Sequence, residues 1–296
     1  MSVILITGCS SGFGMLAAAR LAAANHHVYA TMRDTRKKTP LLEEVGRRGG
    51  EVRFLQLDVT DKASIQSAIQ FIEKDAGRLD VLVNNAGYGI GGFFEDLSEE
   101  EFRSQFETNF FGVQNVTRAA LPLLRKTASL PDRPGLAKII NVSSIQGRSA
   151  LPGMSAYAAS KFSLEGFSES LALELLPLGI HVSLVEPGGF RTKIFTDNVQ
   201  MAAGSTNPDS VYFDYSQKIK RRADQVIQSS ATTGNPEQVA RLIQKIVDRP
   251  RPRLRYLIGN VARLRLFMIR ALPWHWYSTI VMRIAYGNSK RKTDSV

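Results

Sequence analysis

Seven short runs of β-branched and apolar residues, separated by stretches of helical periodicity, constrain this chain more than any other feature. They are VILIT (3–7), HVYATM (27–32), VRFLQL (52–57), LDVLVN (79–84), AKIINV (137–142), IHVSLVE (180–186) and LRYLIG (254–259). Continuously apolar strands belong to parallel sheets, where helices cover both faces and no strand side is left for water. The intervening segments read as helices. Ile65, Ala68, Ile69 and Ile72 share one stripe, and Ser98 with Glu101 forms a capping box ahead of a long helix. Asn235 as N-cap and Pro236 at the first helical position open another. The pattern predicts an α/β fold with a doubly wound, seven-stranded parallel sheet. One domain spans residues 1–260, and a tail of basic and apolar residues occupies 261–296.

Composition narrows the classes. The 296 residues, 44% hydrophobic and 22% charged, suit a globular chain with a sizeable core. A lone cysteine, Cys9, excludes an internal disulfide and any cysteine-based metal site, and it points to a reducing compartment. The four histidines show no metal-ligand spacing, so no metal is expected. Strand-like sequence from Val3 leaves no room for a targeting peptide, and a cytoplasmic location is expected. The net charge of +11 is local: between Asp248 and Asp294 there are eleven Lys and Arg and no acid. A charge excess confined to the tail argues against a nucleic-acid binder.

Two local features carry chemistry. TGCSSGFG (7–14) lies between the first strand and the first helix. Gly8, Gly12 and Gly14 let the backbone turn tightly and approach a pyrophosphate at a helix N-terminus, although glycines also serve ordinary turns. The second is SAYAASKFSL (155–164), which places Tyr157 and Lys161 one helical turn apart. The pair reads either as an amphipathic helix with a half-buried Tyr and a surface Lys, or as a phenol whose ionised form a fixed cation stabilises.

In order along residues 2–260, the motifs T-G-x-x-x-G-x-G, LDV (57–59), NNAG (84–87), Asn109 in FETNFFG, NVSS (141–144), Tyr157-x-x-x-Lys161 and PGGFRT (187–192) resemble the short-chain dehydrogenase/reductase family, single-domain branch. The resemblance implies a Rossmann-like fold and hydride transfer between a nicotinamide and an alcohol or ketone carbon. It assigns proton transfer to Tyr157, and phenol and ribose contacts to Lys161. Ser144 would polarise the carbonyl, and Asn109 would hold a water linking Lys161 to solvent. Gly8, Ser10, Ser11, Gly12, Phe13 and Gly14 would hold the pyrophosphate. Asp58 and Val59 would meet the adenine, and Asn85 and Gly87 its ribose. The Phe190 backbone and the Thr192 hydroxyl would hold the carboxamide, and Pro187 would also bind the cofactor.

At the end of the second strand an acid selects NAD(H) and an arginine NADP(H). Met32 occupies the acid position and Arg33 follows, which favours NADP(H); Asp34 is the rival. Arg36, Lys37 and Lys38 either support a phosphate or form a solvated cluster.

Residues 193–235 are expected to form a substrate lid. Ile194, Phe195, Met201, Val211, Tyr212, Phe213 and Tyr215 would make one apolar wall, and Phe93, Phe94, Ile145, Leu151 and Met154 the other. The likeness is greatest to hydroxysteroid and retinol dehydrogenases, implying a small lipophilic secondary alcohol or ketone as substrate and a homo-oligomer. A broad carbonyl or 3-oxoacyl reductase, and a non-catalytic NADP-binding sensor, are the alternatives. The tail (263–292) interleaves arginines with Leu, Ile, Phe and Trp. It reads as a cover packed on the domain or a second subunit, or as a peripheral membrane contact.

Overall fold

A computed structural model describes residues 1–131, 136–190, 199–228 and 234–286. In chain order its strands are β1 (Val3–Ile6), β2 (His27–Met32), β3 (Val52–Gln56), β4 (Val81–Asn84), β5 (Gly89–Gly91), β6 (Ala137–Val142), β7 (Ile180–Pro187), β8 (Val199–Met201) and β9 (Arg255–Ile258). Its helices are α1 (Gly12–Ala23), α2 (Thr39–Arg48), α3 (Lys62–Ala76), α4 (Glu99–Phe106), α5 (Gly112–Ala128), α6 (Ser155–Leu175), α7 (Phe213–Gln228), α8 (Glu237–Asp248), α9 (Asn260–Ala271) and α10 (Trp274–Tyr286).

All seven apolar runs pair in one parallel sheet, in the order β3-β2-β1-β4-β6-β7-β9. Each face is sealed by its own core. On one side Ala17, Ala18 and Leu21 of α1, Leu41 and Val45 of α2, and Val239, Ile243 and Ile246 of α8 pack on the strands. On the other, Ile65, Ile69 and Ile72 of α3, Val116 and Leu123 of α5, and Leu171 of α6 do the same. Strands buried from both sides need no polar alternation, and this is why the runs are continuous.

The capping box at Ser98 and Glu101 forms with both reciprocal bonds. Asn235 caps α8 through its side chain, its Oδ1 accepting from Glu237 N at 2.9 Å. The long helix expected after Ser98 is instead α4 and α5 joined by a π-helical turn, Glu107–Phe111. The widened turn carries the buried Asn109. A second, two-stranded sheet of β5 and β8 lies outside the seven-run pattern. Among the described residues no helix is long and apolar enough to cross a membrane.

Candidate active site

β1 and β4 lie side by side at the centre of the sheet, and the chain leaves them for opposite faces. Beyond the carboxyl ends of such a strand pair a crevice opens. Here it is built by hydrogen bonds. Thr7 Oγ1 accepts from the backbone N–H of Asn85 and of Ala86, each at 3.0 Å. In return, Asn85 Nδ2 donates to the carbonyls of Thr7 at 2.9 Å and Gly8 at 3.0 Å. The glycine turn is thereby tied to the loop after β4. Gly8 has φ +72°, and a Cβ there would come within 2.7 Å of Ala86 Cα. A Cβ on Gly14 would collide with the Asn85 amide. The Ser11 side chain does not cap α1, and the first turn of that helix has no acid. Its leading N–H groups and the glycines of the turn fit a phosphate.

Tyr157 and Lys161 lie in the first two turns of α6, and both are buried. Ser144 follows the end of β6, its Oγ accepting from Gln146 N at 3.1 Å. These three residues line one cleft with Phe13, Asn85, Gly87, Tyr88, Val142, Ser143, Pro187 and Gly188. Lys161 Nζ donates to the Val142 carbonyl at 2.9 Å. Burial pushes the Lys161 ammonium down to about 8. Burial also raises the Tyr157 phenol, with the neighbouring Ser144 hydroxyl acting the other way. Burial therefore dominates at the phenol, and the lowering expected from Lys161 is not among the influences on it.

Asn109 reaches the cleft from behind. Its Oδ1 accepts from Tyr88 N at 3.1 Å, and its Nδ2 donates to Tyr88 O at 2.9 Å. Gly87 sits between, since a Cβ there would lie 3.1 Å from Asn109 Oδ1 and 3.8 Å from Lys161 Nζ. Gln105, one turn before Asn109, assists: its amide donates to Tyr88 O and accepts from Ile90 N, each at 2.8 Å. Sequence reasoning missed Gln105, although a second amide four residues from Asn109 was the available signal.

The other expected contacts are distributed as follows. Phe190 is buried edge-on against Phe13 at 5.8 Å between ring centres. Asp58 holds the next turn, its Oδ1 accepting from Thr60 N at 3.0 Å and Thr60 Oγ1 at 2.8 Å. Val59 is buried against Gly112 of α5. Arg33 is exposed and has no hydrogen bond or ion pair among the described residues. Asp34, its rival, is engaged by Arg36, whose Nε and Nη2 donate to the two carboxylate oxygens at 2.8 and 3.0 Å. Thr192, Ile194 and Phe195 lie outside the described residues.

Of the residues expected to wall the substrate, Phe93 stacks on Tyr212 at 4.4 Å, with Tyr215 at 6.4 Å and Tyr286 at 6.5 Å. Tyr286 was not anticipated, because a tail residue gives no local sign of a partner nearly two hundred positions earlier. Phe94 departs from expectation: it is exposed and leans on Phe102 of α4, because a 3-10 turn at Phe94–Asp96 rotates it away from Phe93. Val211 is likewise exposed. A broader depression between α1, α2 and α8 is lined by Arg20, Arg48 and Glu237; both arginines pair with the Glu237 carboxylate and hold the helices together.

Known proteins resemble this chain in sequence and fold. Residues 2–203 match the short chain dehydrogenase family. A 3-ketodihydrosphingosine reductase of Bacteroides thetaiotaomicron is 40% identical over 262 residues, 88% of this chain and 89% of that protein. Human 17-beta-hydroxysteroid dehydrogenase type 1 is 36% identical over 275 residues, 86% of this chain and 76% of that one. A solved short-chain dehydrogenase from Streptomyces avermitilis superposes with a TM-score of 0.74 at 34% identity, covering 95% of this chain and 98% of its own. With the doubly wound sheet, the glycine turn and the Ser, Tyr and Lys of one cleft in place, the chain belongs to the short-chain dehydrogenase family and is an NAD(P)-dependent dehydrogenase/reductase.

Proposed function

We propose that the enzyme uses NADP(H) to interconvert a lipophilic secondary alcohol and its ketone, of steroid-like or retinoid-like character. The observation that carries the substrate class is the aromatic wall of Phe93, Tyr212, Tyr215 and Tyr286. It continues from β5, whose Gly89 borders the phenol: a Cβ there would lie 3.6 Å from the Tyr157 ring and 4.0 Å from Met154 Cε, and Gly92, just before Phe93, bridges to Met154. Such a wall binds apolar skeletons by area and leaves the polar end to the few hydroxyls of the cleft. The two relatives named above are, by their names, enzymes of a keto-sphingoid and of a hydroxysteroid.

The bound nicotinamide supplies or accepts the hydride. The remaining work falls to this chain. Tyr157 moves a proton between its phenol and the substrate oxygen, and Ser144 donates to that oxygen and orients it. The Lys161 ammonium grips the ribose and stabilises the phenolate, while Asn109 keeps the Tyr88 main chain in place beside it. Gly8, Ser10, Ser11, Gly12 and Gly14 cradle the pyrophosphate. The carboxyl of Asp34 is held below its usual range by hydrogen bonds from Arg36 and is engaged there. The exposed Arg33 is thereby left to meet a 2′-phosphate, and this favours NADP(H).

A second reading, a reductase of long-chain 3-keto lipids, is favoured by the 40% identity to the keto-sphingoid enzyme. The test is oxidation of NADPH with a panel of steroid ketones, retinal, a long-chain 3-keto lipid and small aromatic aldehydes. Preference for a ring ketone supports the first reading, and preference for the 3-keto chain the second; preference for retinal keeps the lipophilic class but replaces the ketone by an aldehyde. Turnover of the small aldehydes alone rules out both.

A further inference from the structure

We propose that the α9–α10 hairpin is a docking surface for anionic lipid headgroups, placed beside the substrate chamber. Within 24 residues it exposes Val261, Leu264, Phe267, Trp274, Trp276, Met282 and Ile284. Phe267 is 68% exposed, Trp274 73% and Trp276 58%. Both tryptophans of the chain are therefore on this surface. Aromatic side chains of this size are rarely left in water unless something covers them.

The charge pattern says what covers them. At 100° per residue, Leu264 and Phe267 stand at the centre of the exposed face of α9, and Arg263 and Arg270 run along one edge. Arg270 and Trp274 flank the corner where α9 gives way to α10. No acidic residue lies in either helix. Apolar side chains rimmed only by arginine suit a headgroup layer, where the rings enter the acyl boundary and the guanidiniums meet phosphates.

The opposite side of the hairpin is fixed to the enzyme. Tyr277 is buried, with its hydroxyl 2.8 Å from Ser149 Oγ. Arg265 donates to the carbonyls of Ser149 and Ala150. Tyr286 closes the aromatic wall at 5.0 Å from Tyr215. The docking face is therefore joined to the chamber wall by direct contacts, and a lipophilic substrate would enter from the bilayer. This last step rests on the substrate reading above; lipid binding itself does not.

The test uses the full chain with vesicles of phosphatidylcholine, alone or mixed with phosphatidylglycerol, at low and high salt and without substrate. Co-sedimentation measures binding. Because Trp274 and Trp276 are the only tryptophans, intrinsic emission reports on this face alone. The proposal expects co-sedimentation and a blue shift with the anionic vesicles at low salt, weakened by salt. Arg263→Gln and Arg270→Gln should each lower the partition coefficient roughly fivefold. The double variant Leu264→Ser/Phe267→Ser should lower it more than tenfold, with thermal melting checking that each variant is folded. Three results overturn the proposal. One is a chain that stays in the supernatant with anionic vesicles at low salt. Another is binding equal on neutral vesicles and indifferent to the arginines. The third is blue emission without lipid that reddens as a dimer dissociates on dilution, which assigns the face to a second copy. Turnover of lipophilic ketones in solution without vesicle binding would keep the substrate reading and remove this one.

Discussion

The Lys161 ammonium lies 5.9 Å from the centre of the Tyr157 ring, in a cleft where its hydrogen bond goes to a backbone carbonyl and not to a carboxylate. A buried cation without a counter-charge destabilises the fold. Its folded value of about 8 is below the ordinary 10.5. The destabilisation is thus fully present below pH 8 and fades between pH 8 and 10.5, where the unfolded chain still holds a proton that the folded chain has released. We expect Lys161→Met to stabilise the ligand-free protein at neutral pH by roughly 1–3 kcal/mol, after the lost bond to Val142 O is counted. Denaturant titrations of both proteins at pH 7 and pH 10 check it. The gap should narrow at the higher pH, and a variant less stable than wild type at pH 7 contradicts the reasoning.

Turnover should respond in the opposite direction. Removing the phenolic oxygen in Tyr157→Phe should cut kcat by roughly 10²–10⁴ while leaving NADPH affinity nearly intact. Lys161→Ala should impair both, because the ammonium serves ribose and phenol together. Single-turnover kinetics alongside fluorescence titration of NADPH separate the two effects. A Tyr157→Phe enzyme with most of its rate would remove Tyr157 from the mechanism.

Cofactor choice is expected to reside in Arg33. Arg33→Ala should raise KM for NADPH by roughly tenfold or more and leave NADH little changed, since a phosphate–guanidinium contact contributes at least ~1.4 kcal/mol. Asp34→Ala should have a small effect, because that carboxylate is occupied by Arg36. If Asp34→Ala damages NADH use while Arg33→Ala changes nothing, the enzyme is an NAD(H) enzyme.

Phe93→Ala would remove the central ring of the aromatic wall and its 4.4 Å stack on Tyr212. The expected result is a KM for a lipophilic substrate raised roughly tenfold, as fits loss of ~1.5 kcal/mol of aromatic packing. The NADPH dissociation constant should not move. An equal rise in both would place Phe93 in the cofactor site.

Stability at acid pH should be governed by Glu237, which accepts from Arg20 at 2.7 Å and Arg48 at 2.8 Å and so joins α8 to α1 and α2. Burial raises its carboxyl, but the hydrogen bonds from Arg48 and Arg20 prevail and hold it below the ordinary 4.5. A depressed carboxyl contributes stability that is present above the ordinary value and lost as pH falls through the folded one. Glu237→Gln should therefore cost about 2 kcal/mol at pH 7 and progressively less below pH 4.5, as melting against pH will show.

Much of this architecture could be read from local pattern. Continuous β-branched runs mark strands covered on both sides, and all seven pair as expected. Tyr157 and Lys161 lie on one face because four residues make about one helical turn. What escaped depends on distant partners or on backbone that departs from periodicity. The glycine-rich β5 pairs with β8 without any alternating pattern. The π turn at Asn109 looks in sequence like uninterrupted helix. Tyr286 meets Phe93, and Tyr277 meets Ser149, across gaps that no local spacing reveals. The NADP-favouring logic of Arg33 gains its physical reason only from the occupied carboxylate beside it.

The bond between Tyr277 and Ser149 also bears on biosynthesis. Ser149 follows Ser144 by five residues, yet its side-chain partner is translated 128 residues later. A nascent chain can therefore pair β1, β2, β3, β4, β6 and β7 while the loop beyond Ser144 still lacks its buried phenol and the Arg265 guanidinium. Catalytic competence should arrive late in synthesis, after sheet formation, once α10 has left the ribosome and seated.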